Sequence, residues 1–109
     1  MDSPERATSI RLRRDELRNE YKVFGEFKPL KVGIHKDLKA SGVELTDVTR
    51  KAILYHVRSS KYLNNLLSCL KRYDLKGNES GEITEDQRND ARVRLEKKKE
   101  RKRRDSAVE

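Results

Sequence analysis

The sequence predicts a mainly helical α+β domain with about five helices, one small β-hairpin and charged, flexible ends. Apolar residues recur at helical spacing through the stretch 46–77, the densest such pattern in the chain. Residues 71–84 then alternate in polarity around turn-forming glycine and asparagine, which is typical of a hairpin. Only 33% of the 109 residues are hydrophobic and 42% are charged, so the core is expected to be small.

Residues 1–16 are predicted to form an N-terminal extension that is partly helical or disordered. Ser3 and Pro4 suit the cap and the first turn of a helix. The residues that follow carry a thin apolar stripe of Ile10, Leu17 and Tyr21. We therefore expect a helix with one docked edge and a frayed start, and we assign the folded domain to residues 17–96.

Residues 23–33 contain both phenylalanines of the chain, two glycines and a proline. Because proline restricts the residue before it to extended geometry, this segment is predicted to be ordered but irregular. Phe24, Phe27 and Leu30 are expected to pack inward, with Lys28 and Lys31 outside. A short helix is predicted over residues 34–40.

Two helices are predicted next, meeting near residues 58–60. Thr46 is a good N-cap for the first helix, and a serine pair offers a cap for the second. The predicted core positions of the two helices are Val48, Ala52, Ile53, Val57, Leu63, Leu66, Leu67 and Leu70.

The start of the second helix is a candidate anion site, because the first N–H groups of a helix lack partners within it. Arg58, Lys61 and Tyr62 surround this start. From spacing alone, an ordinary cap is the favoured interpretation of Ser59 and Ser60. Packing of Tyr62 on the core is as consistent with the pattern as contact with a ligand.

The hairpin is predicted to carry Tyr73 toward the core and Arg72 on the opposite face. Thr84 and Gln87 then have the spacing of a capping box that starts a last helix. Ala91 and Leu95, one turn apart, are expected to dock that helix on the hairpin.

Residues 97–109 form a predicted basic C-terminal tail. This stretch has no apolar face, so we interpret it as a solvated helix end that frays into a tail. It is expected to add a salt-sensitive, nonspecific attraction to phosphates.

The formal charge of +8 and a pI near 9.7 indicate an acidic partner, with nucleic acid as the first candidate and an anionic membrane surface as the second. No apolar run approaches membrane-spanning length, and no signal-peptide pattern is present, so no membrane is expected as a partner. Cys69 is the only cysteine, which excludes an internal disulfide and fits a reducing, cytoplasmic compartment.

No nucleotide-binding loop, zinc-finger spacing or catalytic triad pattern is present, so we predict neither an enzyme nor a cofactor. No metal site is predicted, because His35 has no second ligand at metal-binding spacing.

Four segments at residues 27–38, 52–63, 72–77 and 81–87 (FKPLKVGIHKDL, AILYHVRSSKYL, RYDLKG and GEITEDQ) resemble the ProQ/FinO family of bacterial RNA chaperones. Their order and spacing match the family over residues 17–96, most of the chain. The chain is thus expected to be a minimal member, made of the domain and short tails. Leu54 stands where some members have a basic residue, and the N-terminal helix is more charged than is usual in the family.

The resemblance implies a protein that binds structured RNA, typically a stem-loop followed by a single-stranded 3′ tail, protects small RNAs and assists RNA–RNA pairing. It places Lys31 and Arg50 on a concave face for the duplex, and Tyr62 and Arg72 at a pocket for the 3′ end. The residues assigned to RNA binding are Lys28, Lys31, Arg50, Lys51, Arg58, Ser59, Ser60, Lys61, Tyr62 and Arg72.

Two alternatives stay open beside an RNA chaperone that acts as a monomer. One is a general nucleic-acid-binding protein that takes DNA as readily as RNA. The other is a protein-interaction adaptor whose basic tail binds an acidic partner.

Overall fold

Helices make up most of this chain in the computed structural model, which describes residues 4–107. The elements are α1 (Pro4–Glu20), α2 (Lys22–Gly25), α3 (Ile34–Ala40), α4 (Asp47–Val57), α5 (Ser60–Ser68), β1 (Lys71–Tyr73), β2 (Glu79–Glu82) and α6 (Glu85–Ala107). The predicted mainly helical α+β fold with one small hairpin is confirmed.

Helix α1 runs unbroken from Pro4 to Glu20 and crosses the predicted boundary at residue 17. Its docked edge buries Ile10 and Leu17 to 2% and 1% exposure, and the helix packs on α4. Two arginines extend this contact: Arg13 Nε donates to Thr49 Oγ1 at 3.1 Å, and Arg18 Nε donates to a histidine of α4. The predicted cap at residue 3 lies outside the described residues.

Helix α2 and the irregular segment after it turn the chain beneath α1. Phe24 is fully buried, whereas Phe27 is half-buried and adopts a positive φ of 55°. Gly25 is required by close approach, because a Cβ there would lie 2.6 Å from the Arg18 carbonyl oxygen. Asn65 Nδ2 donates to the Phe27 carbonyl at 2.8 Å and so fixes the turn against α5.

Helices α4 and α5 begin where the sequence predicts. The hydroxyl of Thr46 accepts from Thr49 N at 3.2 Å, and the hydroxyl of Ser59 accepts from Tyr62 N at 3.4 Å. The one wrong core position is Leu70, which is 69% exposed. Its cause is local: α5 ends at Ser68 and the next residue is extended, so helical spacing no longer applies.

A short extended stretch of the irregular segment lies beside the hairpin as a third, strand-like element. Strands β1 and β2 pair antiparallel with a bulge, and Leu30 forms an isolated parallel bridge with Tyr73. Tyr73 N donates to Pro29 O and Lys31 N donates to Tyr73 O, both at 2.8 Å. This pairing holds residues 29–31 beside β1 and sets one wall of the groove described below.

Helix α6 begins at the predicted capping box: Thr84 N donates to Gln87 Oε1 at 3.0 Å, and Gln87 N donates to Thr84 Oγ1 at 3.2 Å. The helix buries Ala91 and Leu95 and packs mainly on α5, rather than on the hairpin as predicted. Only its first half is docked, because every described side chain after Leu95 is exposed.

The basic stretch predicted to be a tail from residue 97 is helical as far as Ala107. Lysine, arginine and glutamate are good helix formers. Ion pairs within the helix, such as Lys99–Glu96 at 3.8 Å and Arg104–Glu100 at 3.2 Å, add to this preference.

Candidate functional site

An open groove of about 710 Å³ lies between α3, α4, α5, β1 and α6. Its floor is apolar, because Ile53, Leu63 and Leu66 of the central helices face it together with Ala91 of α6. Five cationic side chains also line it, against the single carboxylate of Asp90: Lys31, Arg50, Arg58, Arg72 and Arg94. The groove therefore combines an apolar floor with a positively charged rim.

The rim cations differ in how firmly they are held. Arg72 Nη1 donates to Leu30 O at 2.7 Å, and Lys31 Nζ forms an ion pair with Asp37 at 3.1 Å. Arg50 Nε donates to a backbone carbonyl at 3.3 Å. The side chains of Arg58 and Arg94 have no polar partner within the described part of the chain. These two charges are free to meet an anion.

Tyr62 lines the groove, but it is a packed residue with 4% exposure. Its hydroxyl accepts a hydrogen bond from Leu30 N at 3.0 Å. The predicted role of its ring as a stacking surface is therefore not available in this conformation. Tyr62 and Arg72 instead hold the same residue, since one binds the amide N–H of Leu30 and the other its carbonyl. Together they fix one wall of the groove.

The predicted anion site at the start of α5 is divided: Arg58 and Tyr62 line the groove, whereas Ser59, Ser60 and Lys61 do not. Ser59 is an ordinary cap, whose hydroxyl accepts from Tyr62 N and donates to His56 O at 2.7 Å. Ser60 and Lys61 are exposed, and Lys61 Nζ lies 4.7 Å from the Phe27 ring centroid.

The two remaining predicted residues also lie away from the groove. Lys28 Nζ pairs with Glu26 at 3.4 Å and lies 4.9 Å from the Tyr73 ring centroid. Lys51 is half-buried on α4. Of the ten predicted residues, the structure brings Lys31, Arg50, Arg58, Tyr62 and Arg72 together around the groove.

A comparison with family models matches residues 10–107 to the ProQ/FINO family. The chain belongs to the ProQ/FinO family. A solved structure supports the same fold: a FinO-like RNA chaperone from Neisseria meningitidis is 29% identical, with a TM-score of 0.69 over 79% of this chain and 73% of that one. The family consists of non-enzymatic RNA-binding proteins, so the prediction that the chain is not an enzyme is confirmed.

This ProQ/FinO chain also has a buried polar centre that the sequence analysis missed. His56 is fully buried on α4, and its Nδ1 accepts a hydrogen bond from Arg18 Nε at 3.1 Å. Its ring lies 4.9 Å from those of Phe24 and Phe27 and 5.5 Å from that of Tyr62, centroid to centroid. The spacing of position 56 from the buried positions 49, 52 and 53 is helical, which is the signal that was available.

The surroundings of His56 keep it neutral. Burial, followed by the positive charges of Arg18 and Arg14, lowers the pKa of the imidazole to about 4. Because Nδ1 accepts a hydrogen bond, the proton of the neutral ring is on Nε2, which is buried without a partner among the described residues. The centre joins α1 to α4 behind the groove.

Three groove residues of this ProQ/FinO domain were not predicted: Gln87, Asp90 and Arg94 of α6. They flank Ala91, the buried residue that docks α6. The sequence indicates that these residues lie close to Ala91 on the helix. It does not indicate that α6 packs on α5. His35 is exposed and also lines the groove.

The described residues, 4–107, contain neither a cluster of metal-ligating side chains nor a membrane-spanning helix. No group of three or more histidine, cysteine, aspartate or glutamate side chains there is arranged to hold a metal ion. None of the described helices is long and apolar enough to cross a membrane.

Proposed function

We propose that this ProQ/FinO protein is an RNA chaperone of the bacterial cytoplasm. It binds small RNAs and mRNA 3′ ends that carry a terminator stem-loop and a single-stranded tail, stabilises them and promotes RNA–RNA pairing in post-transcriptional regulation. The observation that carries this proposal is the groove with an apolar floor and five cations on its rim.

The size of the groove favours a few unpaired nucleotides over a duplex. A volume of about 710 Å³ falls in the range typical of sites for small ligands. An apolar floor suits the faces of bases, and a cationic rim suits the phosphates that link them. A stem adjoining the bound tail would meet the rim through its phosphates, because the major groove of A-form RNA is too narrow for side chains.

The contacts of the groove residues support a different role for each of them. Arg58 and Arg94 contact phosphates directly, since their charges are unpaired within the described residues. Arg50 lines the same groove from α4 and takes the stem. Arg72 reaches the RNA from a fixed position, with one nitrogen already bonded to Leu30 O. Tyr62 acts by holding Leu30, and so shapes the wall against which the tail lies.

The test compares Arg94→Ala with Lys76→Ala, which removes an equal charge from the exposed hairpin turn away from the groove. Each variant is titrated with a hairpin carrying a U-rich 3′ tail, the same hairpin without a tail, and duplex DNA of equal length. We expect Arg94→Ala to lose roughly tenfold affinity for the tailed hairpin, since one charge-assisted contact contributes about 1.5 kcal/mol. Lys76→Ala is expected to bind like wild type.

Each result bears on a named alternative. Equal binding of duplex DNA and tailed RNA by the wild-type protein would favour a general nucleic-acid-binding protein. Equal losses in the two variants would mean that only net charge matters and that the groove is not the site. A protein partner that copurifies after nuclease treatment would support the adaptor.

A further inference from the structure

A second cleft of about 240 Å³ lies between α1 and α4, apart from the groove. It is lined by Ala7, Ile10, Arg11, Arg14 and Tyr55, none of which lines the groove. No role in the proposed groove site accounts for these residues. Their combination of an aromatic ring, a small apolar wall and two guanidinium groups calls for its own explanation.

Tyr55 is the unusual residue in this cleft. All four tyrosines of the chain lie within the described residues, and the other three are buried in the core or packed against it. Tyr55 is 45% exposed, on the helix that also forms most of the core contact with α1. A half-exposed tyrosine ring offers a face on which a nucleobase can stack at low entropic cost.

The two arginines supply a phosphate site beside that ring. Arg11 is exposed and has no polar partner in the part of the chain that the structure describes. Among the described residues Arg14 pairs only with Asp15, at 3.5 Å, with the carboxylate 51% exposed. Such an exposed pair is weak and can exchange for a phosphate. The Nε of Arg14 is buried in the cleft wall without a partner among the described residues, so it is a donor left to be satisfied by a ligand.

The cleft and the groove both contain residues of α4, so ligands in the two sites would be close to each other. Tyr55 lies on α4 immediately after Leu54 and three residues before Arg58, and both of these line the groove. Helix α4 therefore contributes side chains to both the cleft and the groove, from different sides of the helix. A strand in the cleft would lie alongside a strand in the groove.

We propose that this cleft binds an unpaired nucleotide of a second RNA, with its base on Tyr55 and its phosphate between Arg11 and Arg14. The inference rests on the proposed function, because a pairing reaction needs two RNA strands and the cleft would hold the second of them. The groove holds the structured RNA, and the cleft holds a single-stranded segment of its partner across α4. Pairing is then promoted by proximity, with no chemical step.

The test measures second-strand binding and pairing separately from groove binding, with the full chain. Wild type is first saturated with a tailed hairpin and then titrated with an oligouridine. The annealing rate of the hairpin with a complementary RNA is measured in parallel. The variants are Tyr55→Ala and Arg11→Ala. Their controls are Leu12→Ala, which removes a 58%-exposed side chain from α1, and Lys76→Ala, which removes one charge.

We expect Tyr55→Ala to weaken oligouridine binding by roughly fivefold to a hundredfold and to slow annealing, while the tailed hairpin binds as in wild type. Arg11→Ala should act in the same direction, and the two controls should not. The cleft proposal is overturned if the saturated wild-type complex binds no oligouridine, or if Tyr55→Ala and Arg11→Ala match the controls. Failure of wild type to bind the tailed hairpin would instead overturn the proposed function of the groove.

Discussion

The first helix and the outer half of the last helix look alike in sequence but differ in the structure. Both are rich in charge, and neither has a broad apolar face. Helix α1 nevertheless packs on α4 through one edge, whereas residues 96–104 of α6 are exposed throughout. The difference comes from two large, buried aliphatic residues seven positions apart, Ile10 and Leu17. The part of α6 after Leu95 has no buried aliphatic residue among its described side chains.

This comparison shows how little apolar surface is needed to make a charged helix part of a core. Ile10 and Leu17 bring α1 to α4, and the arginines then find partners there in Thr49 and His56. The outer half of α6 has more cations but nothing to bury, so its charges stay in solvent. Charge density therefore predicts the partner of a helix less well than the spacing of a few apolar residues.

The largest expected effect comes from removing one of those residues. Leu17→Ala should lower the free energy of unfolding by about 2–5 kcal/mol, because it leaves a cavity between α1 and α4. Leu12→Ala is the matched control on the same helix, where a 58%-exposed side chain should change stability by less than about 0.5 kcal/mol. Urea unfolding measures both, and equal effects would show that α1 is not part of the core.

The second effect is a pH dependence that arises where α1 docks on α4, at His56. The folded chain holds His56 neutral with a pKa of about 4, whereas the unfolded histidine protonates near 6.5. Stability from this group is therefore full above pH 6.5 and declines as the pH falls toward 4. The total loss is roughly 3 kcal/mol at 1.36 kcal/mol per pKa unit.

His56→Gln isolates this contribution, because glutamine does not titrate and can still accept from Arg18. Unfolding free energies of both proteins are compared between pH 7 and 4, where the carboxylates titrate alike in each. The variant should show the shallower decline. Parallel curves would mean that protonation of His56 does not destabilise the fold.

The outer half of α6 should affect binding rather than stability. Deleting residues 98–109 is expected to change the free energy of unfolding by less than about 0.5 kcal/mol, since no described side chain there is buried. The truncated protein should bind all RNAs more weakly and show a flatter dependence of affinity on salt, because cations that neutralise phosphates are lost. A loss confined to tailed hairpins would place this half-helix in the specific site.

The smallest expected effect tests whether the helical form of that segment matters. Lys98→Pro and Lys98→Ala remove the same charge, but only proline breaks the helix. If the segment acts through charge alone, the two variants should bind within about twofold of each other, a difference of roughly 0.4 kcal/mol. Weaker binding by Lys98→Pro would show that the helix holds its cations in a fixed arrangement on the RNA.

Most of the fold was predictable because the signals were local. Thr46 and Ser59 cap α4 and α5, and Thr84 with Gln87 starts α6, each through hydrogen bonds within three residues. The core role of α1 was only partly visible, because Arg13 and Arg18 bond to residues 36 and 38 positions away. No periodicity in the sequence reports contacts of that range.

The candidate site was predictable only in part. Arg50 follows from the family resemblance, and Arg58 follows from its position beside the start of α5. Arg94 does not, because its place in the groove depends on α6 packing on α5. The role of Tyr62 was open in the sequence, and its 4% exposure with a bond to Leu30 N assigns it to the wall.

The pairing of Leu30 with β1 has a consequence for the order in which the protein folds. A two-stranded ribbon alone is marginally stable in water, so β1 and β2 depend on a neighbour that enters from 43 positions earlier in the chain. Closing so long a loop is entropically costly before α3, α4 and α5 have formed between its ends. We therefore expect the helices to form early and the groove wall at Leu30 to close last, with folding kinetics limited by that late step.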